Sequence, residues 1–131
     1  MAYFVKNKIG NWGEKIACEE YLKRGFVLVA RNVYNFRGKR LGEIDLVMRT
    51  EKYLVFVEVK ARTTNQFGSA VESITKLKQR KLIHVINWFC KRFPQYSHLQ
   101  PRIDVCAIDI DPLDKSAVNV IIIPSAVTLD Y

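Results

Sequence analysis

Two acidic side chains interrupt a pair of hydrophobic segments near the middle of the sequence. Residues 41–48 and 53–62 have the composition of β-strands and are separated by a short polar turn. If the hairpin turns about the Glu51–Lys52 bond, Asp45 faces Glu58, with Cβ atoms roughly 5 Å apart. Two facing carboxylates repel each other and are costly to bury unless a cation or proton is shared between them. The pattern therefore predicts a divalent-metal site, and its hard oxygen ligands favour Mg²⁺ or Mn²⁺.

Strand alternation sorts the hairpin into a charged face and an apolar face. One face contains Glu43, Asp45, Val47, Phe56, Glu58 and Lys60, and the other contains Ile44, Leu46, Met48, Val55, Val57 and Val59. Lys60 is on the same face as Glu58, so it adds a positive charge beside the predicted metal. In this register Glu43 faces Lys60, which makes Glu43 a candidate supporting residue of the metal site. The alternative is an ion-pair patch on a solvated sheet face. The apolar run 55–57 disfavours that alternative, because a surface hairpin does not need two apolar faces.

Length and composition predict a single globular domain. The chain has 131 residues and is 49% hydrophobic, so we expect one domain over 1–131 with a core at about 9–123. No apolar run approaches the ~20 residues of a membrane span, and the N-terminal segment lacks a signal-peptide core. We therefore expect a soluble, cytoplasmic protein that does not span a membrane. The three cysteines are dispersed without metal-ligand spacing, which predicts reduced and mostly buried thiols.

Positive charge dominates the sequence and indicates a polyanionic partner. The net charge is +8, which favours nucleic acid first and an anionic membrane second. Lysines near the start of the predicted second helix oppose its dipole, and bound phosphate would compensate them. A solvated lysine-rich face is the alternative. The candidate nucleic-acid-binding residues are Arg37, Lys39, Arg40, Arg62, Lys76, Lys78, Arg80 and Lys81.

The elements that must position these residues have the predicted order α-β-β-β-α-β-β. This order indicates an α/β domain of two or three layers with a mixed sheet flanked by helices. We expect the first helix over 11–24, with Asn11 as N-cap and Gly25 after its end. Glu14 has two interpretations, a capping acid in the first turn or a further carboxylate directed at the metal site.

The remaining elements follow from periodicity and turn signals. The first strand is expected over 26–33, followed by a basic turn at 35–40, and 63–73 is expected to be a loop. Thr75 is the predicted N-cap of a helix to about residue 92, and His84 and Trp88 are expected to pack. Its predicted buried face contains Leu82, Val85, Ile86 and Phe89. Strands are expected over 102–110 and over 118–123, which Pro124 would end. Asp104, within the first of these, is assigned a structural role, paired with Arg102 or with a neighbouring lysine.

The hairpin motif resembles that of the PD-(D/E)xK nuclease superfamily. Twelve residues separate Asp45 from the tripeptide Glu58-Val59-Lys60, and Ile44 stands where the superfamily's name has proline. Within it, the sequence is similar to archaeal Holliday-junction resolvases and, more closely, to the YraN-type (UPF0102) endonuclease-like family. The resemblance extends to about residue 110. It is carried by Gly13-Glu14, Ala17, Leu22, Asn32, Gly42-Glu43-Ile44-Asp45, Phe56-Val57-Glu58-Val59-Lys60, Arg62, Gly68, Lys78 and Arg102-Ile103-Asp104-Val105.

This resemblance implies a restriction-endonuclease-like fold and a metal-dependent endonuclease that hydrolyses phosphodiester bonds. It implies Asp45 and Glu58 as catalytic metal ligands with help from the Val59 carbonyl, and Glu14 as a further catalytic carboxylate nearby. Lys60 would orient or activate the attacking water, or stabilise charge in the transition state. The implied substrate is nucleic acid, DNA rather than RNA, and branched DNA is one candidate.

Two other functions are compatible with the sequence. One is a non-catalytic nucleic-acid-binding module of nuclease-like fold. The other is an interaction subunit whose basic face docks a protein or an anionic membrane. A homodimer would place two sites on opposed strands of a junction, and the apolar strand 118–123 offers an edge for pairing.

Overall fold

The computed structural model describes residues 8–37, 39–62, 74–114, 116–127 and 129. Among these residues, two helices and five strands have the predicted order. They are α1 (Lys8–Lys23), β1 (Val27–Arg37), β2 (Lys39–Arg49), β3 (Tyr53–Arg62), α2 (Lys76–Arg92), β4 (Gln100–Ile110) and β5 (Ala117–Val127). A 3₁₀ turn, Pro94–Tyr96, precedes β4. No helix in the described part of the chain is both long and apolar enough to cross a membrane.

The five strands form one mixed sheet in the order β1-β2-β3-β4-β5. Strands β3 and β4 are parallel, and every other neighbouring pair is antiparallel. A parallel pair needs a crossover connection rather than a hairpin, and α2 lies within that connection. The predicted mixed sheet is thereby confirmed, and the order makes β3 its central strand.

Each helix covers a different face of the sheet, so the domain has three layers. The α2-side core joins the buried face of this helix to sheet residues such as Val47, Phe56 and Val105. That face contains Leu82, Val85, Ile86 and Phe89, as predicted. The α1-side core joins Ala17 and Tyr21 to the opposite sheet face, which contains Leu46, Met48, Val55, Val57, Cys106 and Ile108. Cys18 and Cys106 are buried and Cys90 partly so, all as free thiols, which confirms the cysteine prediction.

Helix α1 begins earlier than predicted. It starts at Lys8, so Asn11 lies within the helix and is not its N-cap. Glu14 therefore lies in the helix interior, and its interpretation as a capping acid is wrong. The predicted end is confirmed, since Gly25 has a φ of 89°. The amide of Phe26 donates to the carbonyl of Tyr21 at 3.1 Å, which closes the helix as in a Schellman motif.

The central hairpin has the predicted register near its turn. Its recorded pairs run from Arg49–Leu54 to Leu46–Val57. The predicted alternation breaks beyond that point, because Ile44 packs in the α2-side core with Val47 instead of with Leu46. Asn32, between the β1 residues that pair with Leu46 and Ile44, has a φ of 51° and bends the β1–β2 ribbon.

Gly42 shows how closely this bent ribbon approaches α2. A Cβ at Gly42 would lie 2.7 Å from the carbonyl oxygen of Lys81, so only glycine fits without displacing backbone. The predicted basic turn at 35–40 is mostly strand, because β1 continues to Arg37 and β2 begins at Lys39. Gly38 and the predicted loop 63–73 lie outside the described residues.

The second helix and the last strand differ from prediction at two points. Thr75 is the N-cap of α2 as predicted, but His84 is exposed and does not pack in the core. Strand β5 continues past Pro124 to Val127. Its pairing with β4 is irregular between Ile103 and Val105, so Pro124 falls in a bulge of an edge strand, where proline is tolerated.

Candidate active site

Asp45 and Glu58 are buried where β2 and β3 stop pairing. Their exposed fractions are 4% and 7%. Recorded pairing stops at Leu46–Val57, and the Asp45 carboxylate instead accepts a hydrogen bond from the amide of Val59 through Oδ2, at 2.8 Å. The Asp45 side chain thus occupies the position of a ladder partner, which fixes it beside the Glu58-Val59-Lys60 segment.

The negative charge of Asp45 affects the protonation of Glu58. Burial raises the pKa of Glu58 above its ordinary value of 4.5, and the negative charge of Asp45 raises it further. Hydrogen bonding and positive charge from Lys78, and the charge of Lys60, oppose this rise without cancelling it. Glu58 therefore carries its negative charge in an unfavourable position, which is the condition expected of a metal ligand without its metal.

Two lysines converge on the same carboxylate oxygen. Nζ of Lys78 lies 2.6 Å from Oε1 of Glu58, and Nζ of Lys60 lies 3.8 Å from that atom. Burial lowers the pKa of Lys60, and its contact with Lys78 lowers it further. Burial is the largest influence on Lys78 and lowers its pKa, but the hydrogen bonds to Glu58 and Lys60 and the negative charges of Glu58 and Asp45 together outweigh burial and leave the pKa raised. Lys60 is therefore the ammonium group of the pair that loses its proton more easily.

The start of α2 brings Lys78 into this cluster. The Thr75 hydroxyl accepts a hydrogen bond from the amide of Lys78 at 3.2 Å, which fixes the first turn. A lysine there opposes the helix dipole, so it needs a nearby anion. Bound phosphate was the predicted anion, whereas the structure supplies Glu58. The sequence shows that a lysine at the start of this helix needs an anion, but only the fold shows that the anion is Glu58.

The other predicted nucleic-acid-binding residues are dispersed. Lys76, Arg80 and Lys81 are exposed on α2. Nε of Arg62 lies 3.3 Å from Oδ1 of the buried Asp109, so this side chain is held against β4. The side chains of Arg37, Lys39 and Arg40 lie outside the described part of the structure.

Glu14 is buried on α1. Its neighbour Gly13 packs tightly on β3, where a Cβ would lie 3.3 Å from Cβ of Ala61. Helix α1 covers the face of the sheet opposite to α2, whereas Glu58 contacts Lys78 of α2. Within the described ranges, no three Asp, Glu, His or Cys side chains are placed to hold a metal together. A catalytic role for Glu14 stays a prediction.

Glu43 and Asn32 lie near Asp45 and were not predicted to have the positions that the structure gives them. Glu43 is partly buried and pairs with Tyr34 of β1, so the predicted pairing with Lys60 is absent from the recorded β2–β3 register. Asn32 has no predicted role of its own, yet it is buried, and its Oδ1 has no hydrogen-bond partner among the described residues. Asparagine is one of the residues that adopt a left-handed conformation most readily, but the sequence alone does not show that Asn32 has it.

The donor set fits a small divalent cation. Mg²⁺ is commonly held by one or two carboxylates with several retained waters, so it does not require three protein carboxylates. Asp45 and Glu58 are two such carboxylates. In the structure, the ammonium group of Lys78 is the cation that contacts Glu58. The two carboxylates are therefore oxygen donors of the type that a small divalent cation takes.

A second buried carboxylate lies in a different environment. Asp104 is fully buried and accepts hydrogen bonds from the Tyr21 hydroxyl at 2.9 Å and the Ser125 amide at 3.0 Å. Nε and Nη2 of Arg102 donate to its two oxygens at 3.0 and 3.1 Å. This confirms the predicted structural pairing with Arg102. Burial and the neighbouring carboxylate raise the pKa of Tyr21, so its hydroxyl keeps the proton that it donates.

Comparison with known proteins identifies relatives along most of the chain. Residues 13–108 match the model of a family described as "Uncharacterised protein family UPF0102". A UPF0102 protein of Acinetobacter baylyi is 39% identical over 101 residues, which cover 77% of this chain and 69% of the relative. One from Psychrobacter arcticus is 38% identical over 106 residues, covering 78% and 60%. One from Acinetobacter baumannii is 35% identical over 105 residues, covering 80% and 76%.

Proposed function

The chain belongs to the protein family UPF0102, and from the chemistry of its site we propose that it is a metal-dependent nuclease. Its reaction is hydrolysis of phosphodiester bonds in nucleic acid, with DNA as the favoured polymer and branched DNA among its substrates. The observation that carries the proposal is the buried pair of Asp45 and Glu58, compensated by two lysines on one oxygen. An ordinary core position has no use for two such carboxylates, because their burial is unfavourable without a shared cation.

Asp45 and Glu58 are the residues that would hold Mg²⁺ or Mn²⁺, with the Val59 carbonyl as a further ligand. The bound ion supplies Lewis-acid polarisation of the phosphate and a lowered pKa for its water. Asp45 is kept in place by the Val59 amide, so its orientation does not depend on the ion. This preorganisation favours the transition state, because the ligand does not have to be ordered during the reaction.

Lys60 acts on the reacting phosphate. Its side chain is 30% exposed, so its ammonium reaches the solvent side of the cluster. There it complements the negative charge that develops as water attacks phosphorus. Its lowered pKa also increases the neutral fraction, which can accept a proton from the attacking water.

Several features support the wider proposal. The order α-β-β-β-α-β-β, with the carboxylates on the second and third strands, supports a restriction-endonuclease-like fold. The net charge of +8 and the exposed Lys76, Arg80 and Lys81 beside the cluster support a polyanionic substrate. We place this activity in the cytoplasm. The edge position of β5 supports a homodimer with two sites.

The ion pair between Lys78 and Glu58 favours a second candidate. A non-catalytic nucleic-acid-binding module would keep the carboxylates neutralised by lysines and have no need of metal. Such a module binds nucleic acid without needing Mg²⁺ and does not cut it when Mg²⁺ is present. The nuclease, in contrast, cuts its substrate only with the ion present.

A cleavage assay separates the two candidates. Wild type and Lys60→Met are incubated with Mg²⁺ or Mn²⁺ and labelled linear, single-stranded, flap and four-way-junction DNA. We expect wild type to cut at least one substrate and Lys60→Met to bind it without cutting. Lys23→Met is the matched control, because Lys23 is exposed at the end of α1 and carries the same charge. Binding by wild type without cleavage of any substrate would favour the binding module.

A further inference from the structure

Lys78 occupies the position on Glu58 that a divalent cation needs. Its Nζ is the nearer of the two ammonium groups, at 2.6 Å from Oε1, while that of Lys60 is 3.8 Å away. An ammonium in direct contact with a carboxylate oxygen neutralises its charge and blocks the approach of a second cation. Glu58 therefore has a cationic partner before any metal arrives.

We propose that Lys78 is an internal counter-ion that competes with the divalent metal for Glu58 and is displaced when the metal binds. The inference rests on the proposed nuclease function, because it presupposes a metal at Asp45 and Glu58. It assigns Lys78 to neither metal binding nor catalysis. Its role is to keep the carboxylate pair compensated in the metal-free protein and to lower the affinity for metal.

The charges of the cluster favour this exchange. Two carboxylates and two ammonium groups cancel formally, so a divalent ion would leave an excess of two positive charges. Repulsion between the ion and the Lys78 ammonium at Oε1 decreases as their separation grows. Departure of the nearer lysine therefore lowers the electrostatic energy of the cluster. Asp45 stays in place during the exchange, because the Val59 amide holds it independently of Lys78.

Lys78 is also suited to leave. Its side chain is 34% exposed, whereas Glu58 is 9% exposed, so solvent lies next to the lysine and not next to its partner. Its backbone is fixed by Thr75, so the displaced ammonium stays at the start of α2. There it is available to the phosphates of a bound nucleic acid, beside the exposed Lys76 and Arg80.

Calorimetric titration with Mn²⁺ tests the competition without any measurement of activity. Lys78→Met removes the ammonium and keeps a flexible side chain of similar length. We expect Mn²⁺ to bind this variant about tenfold more tightly than wild type, or tighter still. Lys76→Met removes the same charge from the same helix turn without touching Glu58, and we expect its affinity for Mn²⁺ to stay within about threefold of wild type.

A conservative variant and a measurement on wild type keep the test informative if Lys78→Met folds poorly. Lys78→Arg retains the positive charge, so we expect Mn²⁺ affinity no greater than that of wild type. In wild-type protein, the ¹⁵N resonance of the Lys78 ammonium should change on addition of Mg²⁺ toward that of a solvated lysine. The exposed Lys76 ammonium serves as the internal reference.

The outcomes distinguish the two proposals. Equal tightening by Lys78→Met and Lys76→Met, or weaker binding by Lys78→Met, would overturn the counter-ion role while leaving the nuclease intact. An unchanged Lys78 ammonium resonance at saturating Mg²⁺ would overturn it as well. Absence of Mn²⁺ binding by both wild type and Lys78→Met would refute the metal site itself, and the counter-ion role would fall with it.

Discussion

Two buried carboxylate centres in this protein solve the same physical problem in opposite ways. Asp104 has no exposed surface and receives hydrogen bonds from a tyrosine, an arginine and a backbone amide. Asp45 and Glu58 are nearly as buried, yet burial and the negative charge of Asp45 raise the pKa of Glu58. Each centre lies beside a left-handed residue of a neighbouring strand, Ser125 in one case and Asn32 in the other.

The difference lies in the groups that compensate each carboxylate. All the donors of Asp104 are neutral or permanently charged parts of the fold, and they occupy both of its oxygens. At Glu58, two partly exposed lysines approach a single oxygen, and the charge of a second carboxylate acts on it. Burial alone therefore does not mark a site. What marks it is a charge whose compensation can be exchanged.

The largest expected contrast is in cleavage. Asp45→Asn should reduce the rate by about a thousandfold, because loss of a charged ligand removes several kcal/mol of transition-state stabilisation. The amide oxygen can still accept from Val59, so the fold should be retained. Asp104→Asn is the matched substitution and should keep the wild-type rate per folded molecule. Single-turnover cleavage at low temperature measures both, and equal rates for the two variants would contradict the contrast.

The next contrast is in stability. Asp104→Asn should lower the free energy of unfolding by about 3 kcal/mol or more, since it leaves the largely buried Arg102 without its carboxylate. Urea denaturation with an unchanged slope measures this loss. Asp114→Asn, at an exposed turn, controls for the substitution itself. A fully stable Asp104→Asn protein would show that the network is dispensable.

Removal of the helix cap should have a smaller effect on both properties. Thr75→Ala should destabilise the protein by about 1 kcal/mol, because the amide of Lys78 loses its acceptor. We also expect tighter Mn²⁺ binding than in wild type, since the loosened first turn holds Lys78 less firmly on Glu58. Thermal unfolding and calorimetry report the two changes. If Thr75→Ala lowers stability but leaves the Mn²⁺ affinity unchanged, the cap does not control the contact between Lys78 and Glu58.

The smallest effect is in the titration of Glu58. Carbon-detected NMR should give a Glu58 pKa above 4.5 that decreases in Asp45→Asn and increases in Lys78→Met. Because the folded pKa exceeds the unfolded one, the stability contribution of Glu58 is complete below about pH 4.5 and is lost as pH rises through the folded pKa. This pH dependence should be weaker in Asp45→Asn. An unshifted Glu58 in wild type would remove the electrostatic distinction from Asp104.

Local patterns were sufficient for much of the fold. The hairpin register from Arg49–Leu54 to Leu46–Val57 follows from a tight turn, and the buried face of α2 follows from helical periodicity. The arginine partner of Asp104 also lay within reach along the strand. Each of these features depends on residues that are close in sequence, so the sequence contains the information directly.

Features that depend on distant contacts were not accessible in this way. Ile44 changes faces because the ribbon bends at Asn32, and β5 passes Pro124 because an edge strand tolerates a bulge. The candidate ligands Asp45 and Glu58 could be identified from their unfavourable pairing. Lys78 could be recognised only as a cation in need of an anion, because its contact with Glu58 depends on how α2 crosses the sheet.

The most direct test of the site is cleavage by Glu58→Gln, because Glu58 contacts both lysines and is a proposed metal ligand. Single-turnover assays would use labelled DNA of the preferred structure with Mg²⁺, with chelator, and with the folded variant. The account predicts that wild type cuts only with Mg²⁺ and that Glu58→Gln binds the DNA without cutting it. Cutting by Glu58→Gln at the wild-type rate, or by wild type in chelator, would contradict it.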